Sequence, residues 1–328
     1  RRTAREVLGE DISRECDGKP LGAIACCGTV TAGAAHGDRP LIAGVSVIIP
    51  TRDRPADLLD AVRSILAGDR LPAEIVVADQ STGPRAALPA GGGGVDIVHL
   101  QLHSVGVSRA RNAAIAAARH DVLVFTDDDV LVERDWLIRL VEPLLAAPPR
   151  RATTGAVLAA QTDGFIPSLT QRTQPEVFSG RPFCDPLFSN NMALCRTAFQ
   201  DVGTFDERFG AGAVFSNAED NDLGYRLLEA GYEIAFVPDA IVYHRGGRRG
   251  RALARLDWSY GRGQGAFYAK HMSWSDRHML RRMGRNSAYR LRRLAPALRG
   301  DRGALREGIY LAGLVTGALG WARRYGGR

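Results

Sequence analysis

Three adjacent aspartates carry the strongest chemical signal in this 328-residue sequence. Asp127, Asp128 and Asp129 follow an apolar run at residues 121–126, which is typical of a buried strand. Carboxylates this close repel one another, and a divalent cation relieves the repulsion. Carboxylate oxygens suit Mg²⁺ or Mn²⁺. A solvated acidic turn is the alternative, but the position directly after a buried strand favours a metal site.

A second pair of carboxylates, Glu219 and Asp220, lies near the start of a helix predicted for residues 217–230. A carboxylate on the first turn of a helix that faces a cleft can take a proton from a hydroxyl group. Ser216 and Glu219 also have the spacing of a capping box, which gives Glu219 a structural alternative. That alternative does not extend to Asp220, so Asp220 is the better candidate for a general base.

Two further patterns involve His244 and a pair of arginines. His244 ends a predicted strand, and its neutral imidazole would complete a metal shell begun by Asp129, although a lone histidine is usually a packed or solvated residue. Arg109 and Arg111 open a helix predicted for residues 105–118, where a phosphate group is favoured. An ordinary amphipathic helix with exposed arginines explains the second pattern equally well.

The elements that must position these residues alternate between strands and helices. The predicted strands and helices are 45–49, 54–66, 74–79, 95–100, 105–118, 121–126 and 135–146. In the second half the sequence predicts a long loop at 162–186 and two strand segments at 232–237 and 240–244. Strands that alternate with helices predict βαβ units and an α/β fold with a mostly parallel sheet, whose ligands bind beyond the carboxyl ends of the strands. Polar residues follow three of the strands, at 50–53, 79–81 and 127–129, so we expect them to meet at one edge.

The net charge of +7 is unevenly distributed along the chain. Residues 245–328 contain 20 basic and 4 acidic residues, and the residues before them contain 23 basic and 32 acidic. A basic extension on an acidic body predicts an anionic partner, either a membrane surface or nucleic acid. Seven arginines at 277–293 and an apolar run at 309–322 favour an anionic leaflet. A basic helical cap packed on the rest of the chain is the alternative.

Composition and cysteine usage bound the class of protein. The chain is 45% hydrophobic and 24% charged, which excludes disordered, collagen-like and polytopic membrane proteins. Its five cysteines are odd in number and lack CxxC spacing, which predicts reduced thiols. We therefore expect a cytoplasmic protein, with peripheral contact to the inner face of the plasma membrane as an extension of that expectation.

Taken in order, these motifs resemble those of the inverting glycosyltransferases of family 2, which have the nucleotide-sugar-binding GT-A fold. The resemblance covers about residues 45–270, in the stretches VSVIIPTRDRPADLLDAVRSIL, EIVVADQST, GVSRARNAAIAAARHDVLVFTDDDV, SNNMALCRTAFQDVGTFDERF, AEDNDLGYRLLEAGYEIAFVPDAIVYH and, more weakly, WSYGRGQGAFYAKH. It implies a catalytic domain at 45–250, with a nucleotide-binding half at 45–130 and an acceptor half at 131–250. A leader of unknown role at 1–44 and a basic helical extension at 251–328 complete the chain.

The resemblance also implies a role for each candidate residue. The nucleotide-sugar side comprises Pro50, Thr51, Arg52, Asp79, Arg111, Asp127 and Asp128. The metal, Mn²⁺ or Mg²⁺, is held by Asp129 with Asp127 and His244; the catalytic pair is Asp220 and Glu219; and Asn190 and Asn191 border the acceptor. The resemblance implies uracil as the base. Gln80 departs from the family pattern, in which an acidic residue or asparagine is common at this position.

The expected reaction is a metal-assisted single displacement that moves a sugar from a nucleoside-diphosphate sugar, with a UDP-sugar favoured, to an acceptor hydroxyl. The acceptor would be a cell-envelope or natural-product glycan, a lipid-linked molecule or another small molecule. Other readings are a non-catalytic nucleotide-sugar-binding protein of the same fold, or a nucleotidyltransferase, for which a glycine-rich phosphate loop is missing. Nucleic acid is not an expected partner, because the chain has no aromatic stacking platform or recognisable binding motif.

Overall fold

The computed structural model describes residues 41–91, 93–146, 150–160, 169–170, 172–246, 249–273, 275–294 and 304–326. Within them the strands are β1 Leu41–Thr51, β2 Leu71–Asp79, β3 Asp96–Gln101, β4 Val122–Thr126, β5 Val130–Val132, β6 Arg151–Ala159, β7 Glu176–Phe178, β8 Asn191–Cys195 and β9 Glu233–His244. The helices are α1 Pro55–Leu66, α2 Val107–Ala117, α3 Trp136–Leu145, α4 Arg196–Val202, α5 Glu219–Glu229, α6 Gly250–His271, α7 His278–Leu294 and α8 Leu305–Tyr325. Residues 1–40 of the expected leader lie outside the described residues.

All the described strands join one sheet, in the order β3-β2-β1-β4-β8-β6-β9-β5, and β7 pairs with β9. The first four strands of that order run parallel, and so do β6 and β9. Apolar side chains fill the central strands, and every residue of β4 is buried. Such strands need cover on both faces, and two apolar cores supply it. The expected α/β architecture is therefore confirmed.

The register of the parallel strands explains why distant polar residues meet. Thr51 at the end of β1 pairs with Asp79 at the end of β2, and β4 ends at Thr126 beside β1. β5 then runs antiparallel to β9, and Val130 lies opposite His244. The three polar segments and His244 therefore reach the same edge of the sheet, as the pattern of strands predicts.

The second half of the sheet differs from the predicted elements. β9 is one strand, where two separate segments were expected, because a register shift between Gly155 and Ala156 absorbs the residues around Pro238. A side chain at Gly155 would place its Cβ 2.1 Å from the Ala240 carbonyl oxygen, so only glycine allows this approach. The short strand β7 lies within the stretch that was expected to be a loop.

The basic extension forms helices that pack on the sheet domain. α6 and α8 approach through glycines: a Cβ at Gly261 or Gly265 would lie 2.0 or 1.9 Å from a carbonyl oxygen of α8. Trp321 of α8 stacks on Phe209 of the sheet domain, with ring centroids 5.4 Å apart. The basic extension therefore forms a helical cap packed on the sheet domain, which was one of the two alternatives that the sequence allowed. No helix in the described part of the chain is long and apolar enough to span a bilayer.

Cys184 is a free thiol, as the cysteine spacing predicts. Cys195 is buried at the end of β8. The other three cysteines, Cys16, Cys26 and Cys27, lie outside the described residues.

Candidate active site

A cleft at the carboxyl edge of the sheet has two adjoining cavities. The strand-end cavity, about 360 Å³, is lined by Pro50, Thr51, Arg52, Arg54, Gln80, Val105, Gly106, Val107, Asp127, Asp128, Asp129, Ala211, Gly212 and His244. The helix-side cavity, about 220 Å³, is lined by Asp127, Asp129, Ser189, Asn190, Ala211, Ser216, Asn217, Glu219, Asp220, Gly246, Leu256, Ser259, Tyr260 and His244. Asp127, Asp129 and His244 line both, so they lie at the junction of the cavities.

Each of the three aspartates has a different partner. Asp127 accepts a hydrogen bond of 2.8 Å from Arg111 Nη2. Asp128 accepts one of 2.8 Å from the hydroxyl of Thr51, which ties the end of β4 to the end of β1. Asp129 accepts one of 2.6 Å from Arg54 Nη1, which also lies 3.2 Å from Asp128 Oδ1. Arg54 was not among the predicted site residues, because one arginine before a proline at a helix start has no chemical signature in the sequence.

Crowding and burial set the electrostatics of this group. Burial raises the pKa of Asp128 to about 6, and the charges of Asp129 and Asp127 act in the same direction. Burial also raises the pKa of Asp129, the charge of Asp127 acts in the same direction, and the charge of Arg54 lowers it. Buried carboxylates whose protons are held this tightly gain stability from a cation beside them.

His244 is oriented toward Asp129. Its Nδ1 lies 2.6 Å from the carbonyl oxygen of Arg245, and a carbonyl only accepts hydrogen bonds, so Nδ1 carries the proton. In the neutral ring Nε2 then keeps its lone pair, 3.8 Å from Asp129 Oδ1. This arrangement, with a second partner that fixes the tautomer, suits a metal ligand. No cluster of three or more His, Cys, Asp or Glu side chains within the described ranges could hold a metal unaided.

Arg111 is a buried residue that links Asp127 of both cavities to Glu219 of the helix-side cavity. Its guanidinium is buried and bonds Asp127 at 2.8 Å and Glu219 at 3.0 Å. Those carboxylates hold its pKa above its ordinary value, although burial acts against this. Arg111 does not line either cavity. The residue expected to approach a nucleotide is therefore placed to fix two carboxylates instead.

Glu219 and Asp220 begin α5 without a capping box. Ala218 precedes the helix with φ of 73°, no side-chain cap is present, and the Ser216 hydroxyl bonds the Ala213 carbonyl oxygen at 3.4 Å. The capping interpretation of Glu219 is therefore wrong, since its carboxylate pairs with Arg111. Asp220 faces the helix-side cavity, and burial together with the charge of Glu219 raises its pKa to about 7.

Helix α6 forms part of the wall beside Asp220. Leu256, Ser259 and Tyr260 line the helix-side cavity, opposite the polar residues Ser189 and Asn190. Ser259 and Tyr260 lie in the weakest stretch of the family resemblance and Leu256 lies just before it, so no motif marked these residues in the sequence.

Asp79, which was expected to bind the nucleotide base, does not face the cleft. Asp79 is 2% exposed and its carboxylate accepts hydrogen bonds from His99 Nε2 at 2.9 Å and the Ser81 N–H at 2.8 Å. Its neighbour Gln80 lines the strand-end cavity instead and exchanges hydrogen bonds with the backbone of Gly106. At the end of β2, Gln80 rather than Asp79 therefore presents polar groups to the cavity.

Asn191 is a core residue rather than an acceptor-side one. Its amide group bonds Trp136, Ala156 and Ala240 at 2.8 to 2.9 Å, and it is fully buried. Asn190, one position earlier, lines the cavity as expected. The first residue of a strand alternates with its neighbour between core and cleft, which the sequence alone did not resolve.

Comparison with solved structures identifies the fold. The chain is similar over 84% of its length, and over 86% of that structure's, to the mannosyltransferase PcManGT from Pyrobaculum calidifontis in complex with GDP-Man and Mn²⁺. The TM-score is 0.52 at 16% identity, a likeness of fold alone. The fold is GT-A. Residues 46–200 match the model of the family Glycosyl transferase family 2.

Relatives of known name share more of the sequence. The chain is 32% identical over 252 residues to the pre-mycofactocin glycosyltransferase of Mycobacterium tuberculosis (strain H37Rv), which matches 73% of this chain. The chain spans about half, 49%, of that relative's length. It is 27% identical over 310 residues to the succinoglycan biosynthesis protein ExoM of Rhizobium meliloti (strain 1021), covering 87% of this chain and 96% of that protein. The family match ends in α4, before Asp220.

Proposed function

We propose that the protein transfers a sugar from a nucleoside-diphosphate sugar to an acceptor hydroxyl with inversion at the anomeric carbon. The supporting observation is the shared cleft: Asp127 and Asp129 lie at its junction, and Asp220 lines the helix-side cavity. A single displacement needs a donor held on one face of the reacting carbon and a base on the other. The family match and the glycosyltransferase among the chain's relatives support the same reaction.

In this proposal a divalent cation, Mn²⁺ or Mg²⁺, is held by Asp129 and His244, with Asp127 beside them. A hard cation suits the carboxylates, and Mg²⁺ sites commonly use few protein ligands and complete their shell with phosphates and water. When bound, it neutralises the charge that develops on the departing diphosphate. The lone pair of His244 Nε2, directed at Asp129, is the feature of the chain that supports this assignment.

The donor occupies the strand-end cavity. Pro50, Thr51 and Arg52 line its wall, and the hydroxyl of Thr51 holds Asp128 in place. We propose a UDP-sugar as the donor, as the family resemblance implies. Gln80 and the backbone of Gly106 would lie near the base, since both line this cavity. Asp79 supports that wall through Ser81 and His99 rather than through direct contact.

The acceptor occupies the helix-side cavity, where Asp220 receives the proton of its attacking hydroxyl. A pKa raised to about 7 matches this task, because the group is ionised near neutral pH and still basic enough to accept a proton. Glu219 raises that pKa from the neighbouring position and is itself held by Arg111. Polar Asn190 and aromatic Tyr260 suit a glycan, whose rings have hydroxyl edges and apolar faces, either free or lipid-linked.

We also propose peripheral contact with an anionic membrane on the cytoplasmic side. On α7, Leu280 and Leu291 are exposed about three turns apart on one side. Among the described residues no carboxylate pairs with Arg281 or Arg292, which are also exposed. Exposed leucines beside unpaired arginines suit an anionic leaflet. Binding to anionic vesicles that weakens with salt, and is lost in Arg281→Glu, is expected; equal binding to neutral vesicles would contradict it.

The test of the reaction is Asp220→Asn, an isosteric change that removes the base. We expect sugar transfer to fall at least about 10²-fold, while donor affinity measured by calorimetry stays within about twofold of wild type. The product of the wild-type enzyme should have the anomeric configuration opposite to that of the donor, as seen by NMR. Unchanged transfer in the variant, or a product that retains the configuration, would overturn the proposal.

A further inference from the structure

We propose that Arg54 is a built-in counter-ion of the free site: it holds Asp128 and Asp129 until a divalent cation displaces it, and it then binds the donor diphosphate. This inference rests on the proposed function for its ligands. Arg54 has no assigned role, and it lies outside the set that the family resemblance implied. The geometry of one arginine between two aspartates in the donor cavity points to this role.

The first observation is the position of the guanidinium. Arg54 Nη1 lies 2.6 Å from Asp129 Oδ2 and 3.2 Å from Asp128 Oδ1. His244 Nε2 lies 3.8 Å from the other oxygen of Asp129. The positive charge of Arg54 therefore lies against the carboxylate that also faces the imidazole lone pair. A cation coordinated by Asp129 and His244 would compete with Arg54 for the same carboxylate.

The second observation concerns how Arg54 is held. Its backbone is fixed: Asp53, at φ of 55°, donates its N–H to Ser81 Oγ at 2.7 Å and accepts from the Thr82 N–H at 3.2 Å. The side chain is different, because it is 39% exposed and lines the strand-end cavity. A fixed backbone with a solvent-accessible guanidinium lets the head group change partners without moving the loop.

The third observation is the chemistry of the alternative partner. A guanidinium presents a planar fork of donors that matches phosphate oxygens in a bidentate way. Arg54 and Arg52 both line the cavity that we assign to the donor, but Arg52 pairs with Asp53 at 3.3 Å and does not contact the aspartate group. Once released from Asp129, Arg54 can pair with the diphosphate without leaving the cavity.

Two opposite effects follow from this exchange. In the free protein Arg54 weakens binding of a divalent cation, because the cation must break a short charge-assisted hydrogen bond. With a nucleoside diphosphate present, Arg54 strengthens binding of the pair, because the released guanidinium has a new anionic partner. A residue that merely stabilised the fold, or merely bound the donor, would not produce effects of opposite sign.

The experiment is a titration of Mn²⁺ into the full chain, followed by calorimetry and by the melting temperature, with and without UDP. We expect Arg54→Gln to bind Mn²⁺ about tenfold more tightly than wild type without UDP, and to bind UDP with Mn²⁺ about tenfold more weakly. Arg54→Lys should have Mn²⁺ and UDP affinities between those of wild type and Arg54→Gln. Arg63→Gln is the matched control, since it removes an exposed arginine from the same helix region.

The outcomes separate the inference from the proposed function. Equal Mn²⁺ affinity in wild type, Arg54→Gln and Arg63→Gln, with UDP binding that still depends on Mn²⁺, would overturn the role of Arg54 alone. A loss of UDP affinity in Arg54→Gln without a gain in Mn²⁺ affinity would reduce Arg54 to a donor contact and also overturn it. No effect of Mn²⁺ on any variant, with UDP or without, would contradict the metal of the proposed function itself.

Discussion

The two cavities of the cleft are built in different ways. The strand-end cavity is formed by residues that directly follow buried parallel strands, so the register of β1, β2 and β4 determines where they lie. The helix-side cavity takes its residues from the loop before β8, the start of α5 and the wall of α6. The first is therefore fixed by local strand geometry, and the second by contacts between segments far apart in the sequence.

Helix α6 also fastens the segment that carries Asp220. Gln264 bonds Asn221 at 2.7 Å, and His271 contacts Asp222 at 2.7 Å. Asp222 is fully buried; burial alone would raise its pKa, but His271 and the neighbouring cations hold it well below its usual range. Helix α6, beyond the stretch matched by the family, therefore supports the helix-side cavity but has no lining residue in the strand-end cavity.

The largest expected effect comes from cutting the link between the cavities. Arg111→Met leaves Asp127 and Glu219 without their shared partner in a buried site, and we expect the free energy of unfolding to fall by about 3–5 kcal/mol in urea titrations. Arg109→Gln on the same helix is the control, because its exposed pair with Glu207 should change stability by less than about 0.5 kcal/mol. Equal losses in the two variants would contradict the bridge.

A second prediction separates the acceptor side from the donor side. In Gly265→Ala the new Cβ would lie 1.9 Å from the Leu314 carbonyl oxygen, so α6 and α8 must move apart at a cost of about 1–3 kcal/mol. We expect a lower melting temperature and a raised acceptor KM, with donor affinity unchanged. Gly284→Ala on α7 meets no atom within 4 Å and should not destabilise the protein. A loss of donor affinity in Gly265→Ala would contradict the conclusion that α6 supports only the helix-side cavity.

The pH profile should report Asp220 near pH 7, above the pKa of about 6 at Asp128. The carboxylate acts as a base only when ionised, and its pKa is raised to about 7, so transfer should fall as pH drops through that value, by about tenfold per pH unit below it. Glu219→Gln removes a neighbouring negative charge and should move the midpoint to lower pH. A kcat/KM that stays constant between about pH 6 and 8 in the wild type would contradict the assignment.

The smallest expected effect concerns the wall of the helix-side cavity. Tyr260→Leu keeps an apolar side chain but removes the aromatic face, so we expect acceptor KM to rise about fivefold with donor KM unchanged. The matched control is Tyr289→Leu on the exposed face of α7, which lines neither cavity. The assignment fails if the two variants have the same acceptor KM.

The sequence predicted the strand-end cavity better because its signals are local. An apolar run followed by Asp127–Asp129 predicts both a buried strand and the edge where it ends, and the sheet has that arrangement. The predictions for Asp79 and Asn191 were wrong because the direction of each side chain determines whether it faces the cavity or the core. Asp79 turns into a hydrogen-bonded pocket with His99. Asn191 turns into the core, and no periodicity over two residues distinguishes it from Asn190.

The helix-side cavity was only partly predictable because it depends on long-range pairing. Asp220 was identified from its motif, but the competing capping box failed since Glu219 finds Arg111, more than a hundred residues earlier in the chain. The α6 wall has no sequence signature, because Tyr260 gains its place only when α6 packs on the sheet domain. Arg54 was missed for a similar reason: its partners are defined by the joined ends of β1 and β4.

The central claim is that one cleft holds a metal-dependent donor site and a separate base. Calorimetric titration of UDP and GDP into wild type, Asp129→Ala and Asp220→Asn, with and without Mn²⁺, tests it directly. We expect one nucleotide to bind only with Mn²⁺, to lose at least about tenfold in affinity in Asp129→Ala, and to bind Asp220→Asn as tightly as wild type. Tight binding that ignores both Mn²⁺ and Asp129→Ala, or that is lost in Asp220→Asn, would contradict the account.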